Sequence, residues 1–95
     1  MVNRCIIFTS KTCKDCFALT AHYEQLADQF PEIEFIPIDV GENPQVGIDH
    51  QIYSVPAIEL YDKNELIAEL KHGSSLQYSH IVNFIKVHVL LRKEK

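Results

Sequence analysis

A chain of 95 residues, 46% apolar and 23% charged, has the length and composition of one globular domain with a small core of its own, in no need of a disulfide or metal staple. Its net charge of -4 argues against nucleic acid as a partner, because phosphate binding needs clustered Lys and Arg. No stretch approaches the ~20 consecutive apolar residues that span a bilayer, which argues against a membrane role.

The N-terminal residues carry no secretory pattern: polar Asn3-Arg4 is followed by only a short apolar run, Cys5 to Phe8. A cytoplasmic setting is therefore expected, where thiols stay reduced unless they are catalytic or redox-sensing. The basic cluster Arg92-Lys93-Glu94-Lys95 reads as the solvated end of a helix, with charges that suit the negative pole of its dipole.

Arg4 to Thr9 is a mostly apolar run that fits a strand buried on both faces. A helix is expected from about Thr12, with Leu19, Tyr23, Leu26 and Phe30 at helical spacing and Pro31 closing it. Ile33 to Ile38 forms a second strand. Asn43 then reads as an N-cap, with Pro44 at the first position of a short helix running to about Ile52 that Gly47 weakens. Ala57 to Tyr61 and Leu66 to Leu70 are strands joined through Asp62-Lys63-Asn64-Glu65. Gly73 and two serines precede a last helix whose buried stripe is Ile81, Val82, Ile85 and Val89. A crossover followed by a hairpin implies an α/β fold: a four-stranded mixed sheet flanked by three helices.

Three cysteines cannot all pair within one chain, and two of them, Cys13 and Cys16, stand three apart. On a helix that spacing puts both on one side. Cys13 falls in the first turn after a buried strand, where unpaired N–H groups and the helix dipole favour a thiolate. Cys16, one turn further in, is expected to be less exposed. The implied chemistry is thiol–disulfide exchange: Cys13 attacks a disulfide, and Cys16 resolves the mixed disulfide. The competing reading is half of a zinc site, but a second Cys-x-x-Cys and a closely spaced His pair are both missing. His50, His72, His80 and His88 are scattered.

Cys13-Lys14-Asp15-Cys16, the segment Asp39-Val40-Gly41-Glu42-Asn43-Pro44, and Tyr53-Ser54-Val55-Pro56-Ala57-Ile58 together resemble the thioredoxin superfamily in its small, glutaredoxin-sized form. The resemblance covers nearly the whole chain. It implies a single thioredoxin-like domain and a cis bond before Pro56, with Pro56 lying against the cysteine pair. It further implies backbone hydrogen bonds from Val55 to an extended substrate, and Gly73 bordering the same groove. The sequence departs from thioredoxins at Thr12, where they carry Trp, at Lys14-Asp15, where they usually carry Gly-Pro, and at Ile7, where they have a buried Asp. Deprotonation of Cys16 is left without the family's usual helper. Gly73-Ser74-Ser75 lacks the acidic residue of glutaredoxin glutathione sites.

Thr12-Cys13-Lys14-Asp15 fits a capping box, with Thr12 as N-cap and Asp15 reaching back to it; proton transfer with Cys16 is the sharper alternative for Asp15. Lys14 and Lys11 favour a Cys13 thiolate and Asp15 opposes it. Cys5 reads as a small buried hydrophobe, His22 as an exposed residue of the active-site helix, and Tyr53 as either a substrate contact or loop packing. The expected function is a protein-disulfide reductase with no cofactor beyond a Cys13–Cys16 disulfide. Its partners would be disulfide-containing proteins and a reductase or low-molecular-weight thiol as electron donor. A glutathione-dependent reductase and a non-catalytic redox-sensing or binding module are the alternatives. The first turns over with a dithiol donor, the second with glutathione alone, and the third binds without turnover.

Overall fold

A computed structural model describes residues 1–14, 16–17, 22–71 and 78–93. Asp15 and Gly73 lie outside the described residues, as do Leu19 and His72.

Three strands form the first part of the sheet: β1 (Arg4–Thr9), β2 (Glu34–Asp39) and β3 (Ala57–Asp62). The fourth, β4 (Glu65–Leu70), completes the order β2-β1-β3-β4. β1 pairs in parallel with β2, from Arg4 opposite Glu34 to Thr9 opposite Asp39. It pairs antiparallel with β3, from Arg4 opposite Tyr61 to Phe8 opposite Ala57. The mixed sheet is thus the one expected, with strand ends shifted by one residue. β2 tolerates Pro37 because it is an edge strand, where a missing N–H is least harmful. The β3–β4 hairpin turns at Lys63-Asn64, with Lys63 in the left-handed region at φ 59° and its N–H held by Asn3 Oδ1 at 2.9 Å.

Among the described residues, helices flank the sheet at α1 (Tyr23–Gln29), α2 (Pro44–Asp49) and α3 (Tyr78–Lys93). Because Cβ atoms alternate along a strand, Cys5 and Ile7 of β1 share a face with Ile58 and Leu60 of β3. That face packs against Leu26 of α1, Phe30 just beyond it, and Ile81, Val82 and Ile85 of α3. The stripe expected in α3 is buried at its first three positions, with Val89 partly buried beside them. The opposite face carries Phe8 and Glu59 and is met by His50, the residue that ends α2, its ring 5.3 Å from that of Phe8. β1 is apolar from Cys5 to Phe8 because both faces are covered.

Local expectations are corrected at both short helices. His22 is the N-cap of α1 with non-helical dihedrals (φ -110°, ψ 9°), so the run from Thr12 to Phe30 is not one uninterrupted helix. Its ring is half-buried, 4.8 Å from that of Tyr78, instead of standing on an exposed face. Asn43 is the N-cap of α2 as expected, but its side chain makes no capping bond; Nδ2 donates instead to the Asp39 carbonyl at 3.0 Å. α2 ends at Asp49, short of Ile52. There the Ile52 N–H reaches the Gly47 carbonyl (2.8 Å) and the Gln51 N–H that of Ile48 (3.1 Å), closing a Schellman motif with Gln51 at φ 57°. That motif turns the chain towards Val55. Gly47 packs beside Val40, whose side chain a Cβ there would meet at 3.4 Å.

Candidate active site

β1 ends at Thr9, and the chain turns through Ser10-Lys11-Thr12 into a helical segment in which residues 14, 16 and 17 are described. Cys13 directly precedes it, with its N–H bonded to the Ser10 carbonyl (3.1 Å) and its carbonyl accepting from Phe17 (3.4 Å). Cys13 and Cys16 are joined as a disulfide, with Cα atoms 5.2 Å apart. The Cys16 N–H also donates to Cys13 Sγ at 3.1 Å.

These contacts correct the expected cap. The residue whose carbonyl starts the helix and whose side chain takes the N–H three residues on is Cys13, not Thr12. Thr12 is exposed and its hydroxyl pairs with Ser10 Oγ at 3.1 Å. A sulfur at this position sits where the free N–H groups and the positive pole of the helix converge, which favours negative charge on it. The two cysteines are unequal: Cys13 is half-buried, whereas Cys16 is 2% exposed.

Val55 and Pro56 approach Cys13 from the other side of the sheet's end. The Val55 carbonyl oxygen lies 3.8 Å from Cys13 Sγ, a distance at which the thiol form is a weak donor to it. The Val55–Pro56 peptide bond is cis. Pro56 is buried, Val55 half-buried, and Tyr53, 89% exposed, stands out into solvent near this wall. Phe17, also exposed, adds a second large apolar side chain near the pair.

Of the charges expected to act on Cys13, Lys11 is engaged by another partner. Lys14 is exposed, but the Lys11 ammonium is paired with Glu42, and this hydrogen bond holds the lysine pKa above its ordinary value. Ile7 is fully packed in the core. Cys5 is buried and free, and burial pushes its thiol up to about 12. Among the described residues, no group of three or more His, Cys, Asp or Glu is placed to hold a metal ion.

Two acids went unread. Glu59, 2% exposed, accepts from His50 Nδ1 (2.8 Å) and the Tyr61 hydroxyl (2.7 Å) and pairs with Lys71 Nζ at 3.2 Å. The available signal was an acid set within the otherwise apolar run Ala57 to Leu60, where it needs partners if that run is buried. Asp39, at the end of β2, shares a cavity of about 150 Å³ with Cys16, lined also by Thr9, Ser10, Lys11 and Phe17.

A parallel crossover into a cysteine-led helix, faced by a proline that opens the next strand, defines a thioredoxin-fold site. The thioredoxin family profile matches residues 3–87, and the chain belongs to that family. It is 26% identical over 70 residues to a thioredoxin of Geodia cydonium, covering 74% of this chain and 66% of the relative. To a thioredoxin of Methanocaldococcus jannaschii it is 36% identical over 62 residues, 64% of this chain and 73% of the relative. The matched stretch spans a smaller part, 37%, of thioredoxin-2 from Pyricularia oryzae. Thioredoxin 1 of Thermosipho africanus superposes with a TM-score of 0.80 at 23% identity, over 95% of this chain and 98% of the other. No described helix is long and apolar enough to cross a membrane.

Proposed function

We propose that the protein is a thiol–disulfide oxidoreductase that reduces protein disulfides through Cys13 and Cys16, acting as a single thioredoxin-like domain. The observation that carries this reading is the Cys16 N–H held on Cys13 Sγ at the helix start. It offers a fixed donor to the sulfur that must carry negative charge as nucleophile and leaving group.

In the dithiol form the Cys13 thiolate attacks a substrate disulfide. One Cys13–substrate bond forms and the substrate S–S bond breaks, releasing the first substrate thiolate. Cys16 then attacks Cys13, forms the intramolecular disulfide and expels the second thiolate. A reductase or low-molecular-weight thiol returns two electrons and restores the dithiol. In this reading the Val55 backbone pairs with an extended substrate segment by strand addition. Thr12, Pro56 and Gly73 border the same groove, and Lys14 and Asp15 modulate the thiolate by their charges. The setting is a reducing one, such as cytoplasm, in which Cys5 stays a free thiol.

A Cys16→Ser variant tests this. Incubated with a disulfide-containing protein, it accumulates a covalent adduct through Cys13, seen by non-reducing mass spectrometry. Absence of any adduct overturns the reading.

A further inference from the structure

Cys16 cannot resolve a mixed disulfide while it keeps its proton, and at 2% exposure its thiol has little water to give that proton to. Among the described residues, the cavity onto which Cys16 opens has one carboxylate in its wall, that of Asp39, beside the Thr9 and Ser10 hydroxyls and Lys11. At about 150 Å³ it has room for water, which takes about 30 Å³ per molecule.

The Asp39 carboxylate is held in place by the chain that follows it. Oδ1 accepts the N–H groups of Gly41 (2.7 Å) and Glu42 (3.1 Å). Gly41 leaves room for this grip, since a Cβ there would press on Oδ1 at 3.0 Å. The described hydrogen bonds of the carboxylate fall on this one oxygen, so Oδ2 is the acceptor that can serve the cavity. Among the described residues, the charged groups facing Asp39 are Lys11, in the same wall, and Glu42, with which Lys11 is paired. The partnered lysine offsets the build-up of negative charge at this end of the sheet without donating its charge wholly to Asp39.

We propose that Asp39 is the proton acceptor for Cys16 through water in this cavity, an assignment that rests on the exchange reading above. In resolution, the Cys16 S–H proton passes through water to the Asp39 carboxylate. The thiolate so formed attacks Cys13 Sγ, the Cys13–Cys16 bond forms and the Cys13–substrate bond breaks. The substrate leaves as a thiolate and takes its proton from solvent. When the protein is reduced again, the proton returns from Asp39 to Cys16.

The test is the pH profile of substrate release from a preformed Cys13 mixed disulfide, followed by stopped flow in the wild type, Asp39→Asn and Asp15→Asn. Asparagine keeps an oxygen for the Gly41 and Glu42 N–H groups and removes only the basic carboxylate. Release in Asp39→Asn slows about a hundredfold near neutral pH, the lower end of what a positioned base contributes. Its profile climbs towards the wild type as the pH is raised into the range where the Cys16 thiol ionises unaided. Asp15→Asn leaves the profile in place. Superimposable Asp39→Asn and wild-type profiles, or a uniform slowing at every pH, overturn the assignment. So does a shift produced by Asp15→Asn alone. A wild-type protein that releases no substrate at any pH overturns the oxidoreductase reading itself and this one with it.

Discussion

The Cys16 amide donates to the Cys13 sulfur over 3.1 Å, so the two residues are coupled through the start of a helix as well as through their disulfide. The contact makes the half-buried Cys13 the acceptor of a backbone N–H and leaves Cys16 enclosed below it.

An order of thiol reactivity follows. With the disulfide reduced, iodoacetamide near neutral pH labels Cys13 first, Cys16 more slowly and Cys5 only after the protein is unfolded. Burial holds Cys5 protonated, up to about 12, and denies the reagent access. Peptide mass spectrometry over a labelling time course reads the order. Labelling of Cys5 in the native protein at a rate like that of Cys13 would contradict it.

Glu59 ties β3 to the residues that lead into the Val55 wall. It holds His50 and Tyr61 by hydrogen bonds, and Lys71 bridges it to the His50 carbonyl at 2.7 Å and to Glu69 at 3.0 Å. Removing the charge from a buried, fully partnered carboxylate strands its partners, and Glu59→Gln is expected to cost about 3–5 kcal/mol in urea unfolding. Glu34→Gln, which breaks the exposed pair with Arg4, costs about 0–1 kcal/mol. Equal costs for the two variants would mean that the Glu59 network contributes no more than a surface pair.

Alkaline conditions loosen the fold through three groups whose pKa values are all raised. Burial raises Cys5 from 9.0 to about 12. Burial and the Glu59 hydrogen bond raise Tyr61 above 10.0. Burial opposes the Lys71 charge, but hydrogen bonds to Glu69 and Glu59 outweigh it and carry the lysine above 10.5. A group with a higher pKa folded than unfolded contributes fully below its unfolded value and loses that contribution as pH rises through the folded one. The urea midpoint is therefore expected to fall from about pH 9 upward as Cys5 enters its window, and more steeply above pH 10 as Tyr61 and Lys71 join it. Tyr61→Phe has a shallower fall. A midpoint that rises over this range contradicts the sign.

The sheet was legible because its strands are short apolar runs punctuated by Pro31, Asn43-Pro44 and Lys63-Asn64, and the cysteine spacing at the end of β1 marked the site. The cap was misplaced because Thr12 is the better capping residue by type; only the geometry shows that Cys13 Sγ takes the N–H. The His22 expectation failed because helical periodicity runs across the turn where α1 restarts. Glu59 and Asp39 were invisible for another reason. Their partners lie elsewhere in the chain, Lys71 on the far side of the hairpin and Cys16 on the other side of the crossover, and local pattern carries no record of such meetings.

The central claim is that Cys13 and Cys16 reduce protein disulfides catalytically. Steady-state reduction of a disulfide-containing protein, with a dithiol as donor, measures it most directly. Turnover well above the donor alone, lost in Cys13→Ser and retained in Cys5→Ala, is the predicted result. A wild-type rate no greater than that of the donor alone, or full turnover in Cys13→Ser, would contradict the account.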